Sequence, residues 1–222
     1  MKSDLHRPTL ADASPSQTAS SVPPASPPSL VHRLDSIVEP INLAQLFAQP
    51  QPLEIELGSG DGSFLVAYAR AHPARNFIGV ERLLGRLRKV DRKGRRAGLA
   101  NLRLIRLEAS YLLEYLIPPG TVQALHIYFP DPWPKRRHQP NRLINARFTE
   151  LAQRVLAPDG NVYLRTDDTP YFTQMTAVFQ ANPAFAAVAT PPELAAITTD
   201  FERDFLQRGV RTQGTAYRLR TA

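Results

Sequence analysis

The sequence predicts an α/β fold: a mostly parallel, seven-stranded sheet with helices on both faces. Three observations lead there. From Leu53 onward, short apolar runs of strand length alternate with stretches of helix length. The first of these, PLEIELG, is a short apolar run ending in glycine, as a buried strand is. The first run ends in a glycine-rich turn that opens directly into a helix.

In order, PLEIELG (52–58) reads as the first strand and SFLVAYARAH (63–72) as the helix after it. NFIGVE (76–81) is the second strand. A helix over 83–97 follows, with Leu83, Leu84, Leu87 and Val90 on one face. NLRLIRL (101–107) and VQALHIYF (122–129) are the third and fourth strands. Residues 142–156 form a helix, NVYLRT (161–166) a fifth strand and 170–181 another helix. Two short strands, around 185–189 and 215–220, complete the seven. In such a sheet, ligands bind beyond the carboxyl ends of the central strands. The chemistry is therefore expected just after Leu57, Val80, Leu107, Phe129 and Thr166.

A length of 222 residues suits one domain with a sizeable core. Residues 1–29, rich in Ser, Pro, Ala and Thr, have too few large apolar side chains to fold and read as a disordered tail; 30–222 is the folded domain. A cleaved transit peptide would also be Ser-rich, but Asp4, Asp12 and the scarcity of Arg argue against one. No apolar run approaches the roughly 20 residues of a membrane span. There is no cysteine, which excludes disulfides and thiolate chemistry and fits a reducing compartment, so a cytoplasmic location is expected. The five histidines are scattered, and no metal site is expected. A formal charge of +7 favours a polyanionic partner.

The first turn reads Glu56-Leu57-Gly58-Ser59-Gly60-Asp61-Gly62. Its G-x-G-x-G spacing departs from the G-x-G-x-x-G that binds a dinucleotide pyrophosphate, which disfavours a dinucleotide oxidoreductase. Gly58 and Gly60 would let a ligand approach the backbone. Glu56, at the strand end, suits a cationic amino-acid group. Glu81 ends the second strand, where a carboxylate can accept two ribose hydroxyls. Glu108 follows the third, where one can accept an adenine amino group. Singly, each is an ordinary cap; three acids after three successive strands fit S-adenosylmethionine.

The fourth strand runs into Phe129-Pro130-Asp131-Pro132-Trp133-Pro134-Lys135. Three prolines stiffen this loop around one acid, one large ring and one base. Together with the residues after it, FPDPWPKRRH resembles the signature of the bacterial tRNA (guanine-N7-)-methyltransferase family, and the likeness extends from about Pro52 to Arg220. The resemblance implies a Rossmann-like class I S-adenosylmethionine-dependent methyltransferase fold. It also implies methyl transfer to N7 of a guanine in tRNA, guanine 46 of the variable loop. It places Glu56, Glu81, Glu108 and Asp131 at the cofactor, and Lys135 and Asp167 at the substrate. Thr199-Asp200-Phe201-Glu202 resembles the family's late T-K-F-E motif, which adds these four to the substrate side. Glu108 stands where the family has Asp, Asp200 where it has Lys, and Pro140-Asn141-Arg142 where it has a more basic stretch.

Guanine N7 carries a lone pair and no proton, so its methylation needs placement and exclusion of water rather than a general base. Asp131 is the candidate catalytic residue, stabilising the cation that develops on the purine. Asp167 and Glu202 are candidates for accepting from guanine N1–H and N2–H. Between Arg82 and Arg96 lie eight basic residues and one acid. Arg88, Lys89, Arg92 and Lys93 are expected to meet phosphates, with Lys135, Arg136, Arg137 and Arg142 extending the charge. The resemblance implies tRNA as the partner, and a monomer or homodimer is expected. Methyl transfer to another RNA, to DNA or to a small molecule stays open, as does a noncatalytic RNA-binding subunit.

Overall fold

The computed structural model describes residues 27–221. The tail expected over 1–29 lies outside the described residues, apart from Pro27, Pro28 and Ser29. Seven strands form one sheet: β1 (Leu53–Leu57), β2 (Asn76–Val80), β3 (Leu102–Ile105), β4 (Val122–Tyr128), β5 (Leu156–Thr166), β6 (Phe185–Val188) and β7 (Gln213–Leu219). Their order is β3-β2-β1-β4-β5-β7-β6. The first five pair in parallel, and β7 runs antiparallel between β5 and β6. The chain steps outward from β1 to β3 and then returns to β4 on the other side of β1. Strand order thus reverses between β1 and β4, where a parallel sheet leaves a crevice at its carboxyl edge.

The helices are α1 (Leu43–Leu46), α2 (Ser63–Ala71), α3 (Leu84–Arg96), α4 (Ala109–Tyr111, continuing as a π-helical turn over Leu112–Leu116), α5 (Ala146–Val155), α6 (Thr169–Gln180), α7 (Pro192–Ala196) and α8 (Asp200–Gln207). Strand alternation sorts the core into two layers. Ile55, Leu57, Ile78, Val80, Leu125 and Ile127 pack against Leu112, Leu116, Phe148, Met175 and Phe179 on one side. Phe77, Leu102, Leu104 and Tyr128 pack against Phe64, Leu65, Tyr68, Leu87 and Val90 on the other.

Several features differ from the sequence reading. The helix expected over 142–156 begins at Ala146, where Asn145 Oδ1 accepts the Phe148 N–H at 3.0 Å; the residues before it form a 3-10 helix over Arg136–Asn141. α3 buries Leu87, Val90, Asp91 and Gly94, whereas Leu83 and Leu84 are exposed at its start. The late helix α8 was not anticipated, although Thr199-x-x-Glu202 is a capping pattern and Thr199 Oγ1 accepts the Glu202 N–H at 3.0 Å.

The single acid of the basic helix also has a role that its neighbours concealed. Asp91 Oδ1 accepts the Leu30 N–H at 2.7 Å and the Ser29 hydroxyl at 3.1 Å. Leu30 O in turn accepts from Leu104 N at 2.9 Å, and His32 N donates to Leu104 O at 2.8 Å. The segment entering the domain therefore runs beside β3, with Val31 bridged in parallel to Leu104.

Candidate active site

The turn after β1 forms because its glycines tolerate the left-handed region: φ is +79° at Gly58, +54° at Gly60 and +78° at Gly62. A Cβ on Gly62 would also stand 2.7 Å from Val90 Cγ1, so that position is closed to side chains twice over. Glu81, leaving β2, fixes the turn from the side. Its Oε2 accepts from Gly60 N at 3.1 Å and its Oε1 from Leu83 N at 2.8 Å.

Glu56 is buried, and its Oε2 has no hydrogen-bond partner among the described residues. Burial first, then the Asp61 and Glu81 carboxylates, push its pKa up to about 8, against a smaller pull from Arg165. An acid held in this state is stabilised by any cation brought beside it. The methionine ammonium of S-adenosylmethionine fits that requirement.

Gly58, Glu81, Glu108 and Asp131 line one cleft of ≈ 250 Å³ at the carboxyl ends of β1, β2 and β4. Leu57, Val80, Leu107 and Phe129, four of the five strand ends expected to border the chemistry, line it too. Glu108 also caps α4, its two oxygens accepting from Ser110 N at 2.9 Å and Tyr111 N at 2.7 Å. The loop after β4 is bent at both ends, with φ of +53° at Phe129 and +42° at Trp133. Non-glycine residues hold such angles only where their surroundings impose them, at a cost of order 1–3 kcal/mol each. Asp131 Oδ1 accepts the Trp133 N–H at 3.2 Å, closing a turn within the loop.

What holds this loop is Arg142, and here the sequence expectation needs correction. Instead of presenting charge to a substrate, Arg142 is buried. Its Nε donates to Pro132 O at 2.7 Å and its Nη1 to Gln174 Oε1 at 2.8 Å. Its guanidinium lies 4.8 Å from the Tyr171 ring centroid. Lys135, Arg136 and Arg137 are exposed just beyond the cleft. Arg82, Arg86, Arg88, Lys89, Arg92 and Arg96 are also exposed, whereas Lys93 turns to carboxylates.

The expected substrate residues do not all converge on the cleft. Asp167 follows β5 and is partly buried; Phe129 N donates to Arg165 O at 2.9 Å, so this strand end runs beside the loop of Asp131. Glu202 lines a neighbouring cleft of ≈ 170 Å³ that shares Tyr128 with the first. Its oxygens are engaged, Oε2 by Arg165 Nη1 at 3.0 Å and Oε1 by Thr212 Oγ1 at 3.2 Å. Thr199 is a buried cap, and Phe201 is exposed against the glycine turn.

The sequence reading assigned no role to Tyr128 or Arg165. Tyr128 walls both clefts, and the Arg165 guanidinium lies 4.6 Å from its ring centroid. Behind them His126 bridges Tyr128 Oη (2.9 Å) and Glu54 Oε2 (2.7 Å), and Arg75 Nη1 donates to Glu54 Oε1 at 2.7 Å. The visible signal was Glu54 and His126, polar residues inside strands that otherwise supply core side chains.

A parallel sheet with one reversed strand, a left-handed glycine turn after its first strand and an acid-lined cleft at the reversal of strand order define the class I S-adenosylmethionine-dependent methyltransferase fold. Solved structures agree. The 16S rRNA methyltransferase KamB superposes with a TM-score of 0.59 at 16% identity, covering 82% of this chain and 95% of its own. TrmN from Thermus thermophilus gives 0.57 at 18% identity, over 80% of this chain and 47% of its own. A family model described as "putative methyltransferase" matches residues 50–219. The tRNA (guanine-N(7)-)-methyltransferase of Leifsonia xyli is 39% identical over 73% of this chain and 74% of its own length; that of Sodalis glossinidius is 36% identical over 80% and 74%. The chain belongs to the tRNA (guanine-N7-)-methyltransferase family.

Proposed function

We propose that this protein transfers a methyl group from S-adenosylmethionine to N7 of a guanine in tRNA, guanine 46 of the variable loop. The observation that carries the reading is the buried Glu56 carboxylate, whose Oε2 has no partner among the described residues, together with a cleft lined by Glu81, Glu108 and Asp131. Glu56 would hold the amino-acid end, Glu81 the ribose and Glu108 the adenine, with Gly58 and Gly60 letting the cofactor approach the backbone. When bound, S-adenosylmethionine supplies an electrophilic methyl that the N7 lone pair displaces from sulfur.

No residue has to remove a proton. Asp131 faces the charge that develops on the purine as N7 becomes quaternary; a carboxylate preorganised there stabilises it without rearranging at the moment of reaction. The stiff Pro130–Pro132–Pro134 loop and Arg142 keep Asp131 in place. Asp167 lies at the next strand end, where it would accept from the guanine N1–H and N2–H edge; adenine offers no such pair. The exposed cations of α3 and of the 135–137 segment provide the surface for phosphates that the acidic cleft would otherwise repel.

The test is incubation with methyl-labelled S-adenosylmethionine and unmodified tRNA, followed by digestion of one sample to nucleosides and of another to oligonucleotides that can be placed in the tRNA sequence. Label in 7-methylguanosine at position 46 is the expected result. Label in another nucleoside, or transfer to rRNA, DNA or a small molecule in preference to tRNA, defeats the reading.

A further inference from the structure

Among Arg88, Lys89, Arg92 and Lys93 of α3, Lys93 is the one that pairs with carboxylates of the protein. Its Nζ donates to Asp61 Oδ2 at 2.6 Å and lies 3.8 Å from Asp200 Oδ2. Asp61 sits inside the glycine turn, and Asp200 is the first residue of α8. Burial alone would raise the Asp61 pKa, but the Lys93 ammonium overrules it and holds the carboxyl below its usual range. Asp61 is therefore held as a carboxylate beside Lys93.

Two further contacts join the same segments. Asp200 N donates to Ser63 Oγ at 3.0 Å, and Phe201 Cε2 lies 3.8 Å from where a side chain on Gly60 would begin. The Arg86 guanidinium stands 6.0 Å from the Phe201 ring centroid. α8 has no buried residue of its own, and Phe201 and Leu206 are exposed on it. Apolar packing therefore does little to fix where this helix begins. Polar ties do, at Lys93 and Ser63 on the turn and at Arg165 through Glu202.

We infer that Lys93 is a positioning residue that latches the 199–202 segment to the cofactor-binding turn, so that filling the cofactor site sets the substrate-side segment and cofactor and tRNA bind cooperatively. The cooperativity rests on the reading of 199–202 as the substrate side; the latch does not. A cofactor that stiffens residues 58–62 holds Asp61, hence Lys93, hence Asp200. By linkage, tRNA must then tighten the cofactor by the same factor. Partly exposed ion pairs contribute at most about 1 kcal/mol, which sets that factor at about fivefold.

The experiment uses the full chain with S-adenosylhomocysteine, the demethylated and unreactive form of the cofactor, as probe. Amide hydrogen exchange across 199–207 is expected to slow on its addition to wild type and to Lys93→Arg, and not to Lys93→Met or Asp200→Asn. Calorimetry with and without saturating unmodified tRNA should give an affinity ratio of about five for wild type and about one for the last two variants. Adding Asp200→Asn to Lys93→Met should change neither readout further. No slowing in wild type, equal slowing in Lys93→Met, or additive effects of the two substitutions overturns the latch. Slowing that depends on Lys93, in a protein that neither binds nor methylates tRNA, supports the latch and overturns the substrate reading.

Discussion

At the scale of single residues, the cleft depends on carboxylates kept in unlike states. Glu56 is buried, its Oε2 without a hydrogen-bond partner among the described residues and its pKa pushed up to about 8, while Asp131 is exposed in a loop that aims it. The sign for Glu56 follows from its direction. Its folded pKa lies above the ordinary 4.5, so its contribution to stability is full below that value and is lost as pH rises through about 8. Thermal melts of the cofactor-free protein should therefore show Tm falling as pH rises from about 4.5 to about 8, with a shallower fall in Glu56→Gln. Cofactor affinity should run the other way. It rises as Glu56 ionises, then falls as the cofactor's own α-amino group, near pKa 8 in simple peptides, loses its proton. Calorimetry should find this rising limb absent from Glu56→Gln; a limb that persists there would assign the titration to another group. Asp131→Ala should cut turnover by about a hundredfold, as loss of a preorganised electrostatic group can, with Asp131→Asn intermediate. Asp167→Ala should raise the tRNA KM while cofactor affinity stays near wild type. If Asp167 instead controls cofactor affinity, the roles of the two strand ends are exchanged.

At the scale of elements, α3 and the loop after β4 show how charge is divided between surface and scaffold. The exposed face of α3 carries Arg88, Lys89 and Arg92, whereas Lys93 and Arg95 turn to Asp61 and Asp91. Neutralising the first three should weaken tRNA binding and flatten its dependence on salt, each lost phosphate contact lowering the slope by about 0.7–0.9. An unchanged slope would return this face to a merely solvated one. Arg142 makes the contrasting case. Arg142→Ala strips Pro132 O and Gln174 of a charged donor and should cost about 1.5–3 kcal/mol in denaturant melts. Turnover should drop because the loop holding Asp131 loosens, yet the salt slope of tRNA binding should not move. Nothing in the spacing of Pro140-Asn141-Arg142 separates a buried guanidinium from a rim one, because Gln174 and Tyr171, which enclose it, come from a later helix. The same blindness hid α8. Its capping pattern was visible, but Thr199–Glu202 was read as a binding motif and not also as a helix start.

At the scale of the whole molecule, the sheet was legible because each strand advertises itself locally, as in Leu53, Ile55 and Leu57 alternating with acids, and because a glycine turn marks the strand beside the crevice. The cleft was legible for the same reason: strand ends determine which acids meet, so Glu81, Glu108 and Asp131 converge without any knowledge of packing. What stayed hidden needed the third dimension: the Glu54–His126–Tyr128 chain behind the cleft and the role of Asp91 as anchor for residues 29 and 30. That anchor moves the expected edge of the working domain. Residues 1–26 have a composition that cannot supply a core, and deleting them should leave turnover on tRNA unchanged. Deleting through residue 32 removes more. Leu30 is buried, its Cδ1 2.5 Å from where a side chain on Gly94 would begin, so α3 approaches this segment as closely as a glycine allows. Leu30 and Val31 also cover the edge of β3 through the Leu104 hydrogen bonds. The longer deletion uncovers that strand edge and leaves Asp91 buried without its two donors, so it should lower the melting temperature and promote association between exposed edges. Asp91→Ala in the full chain should lower stability by about 1.5–3 kcal/mol through the same lost contacts, with cofactor affinity unchanged. Equal melting temperatures for the two truncations would show that residues 27–32 add nothing to the domain.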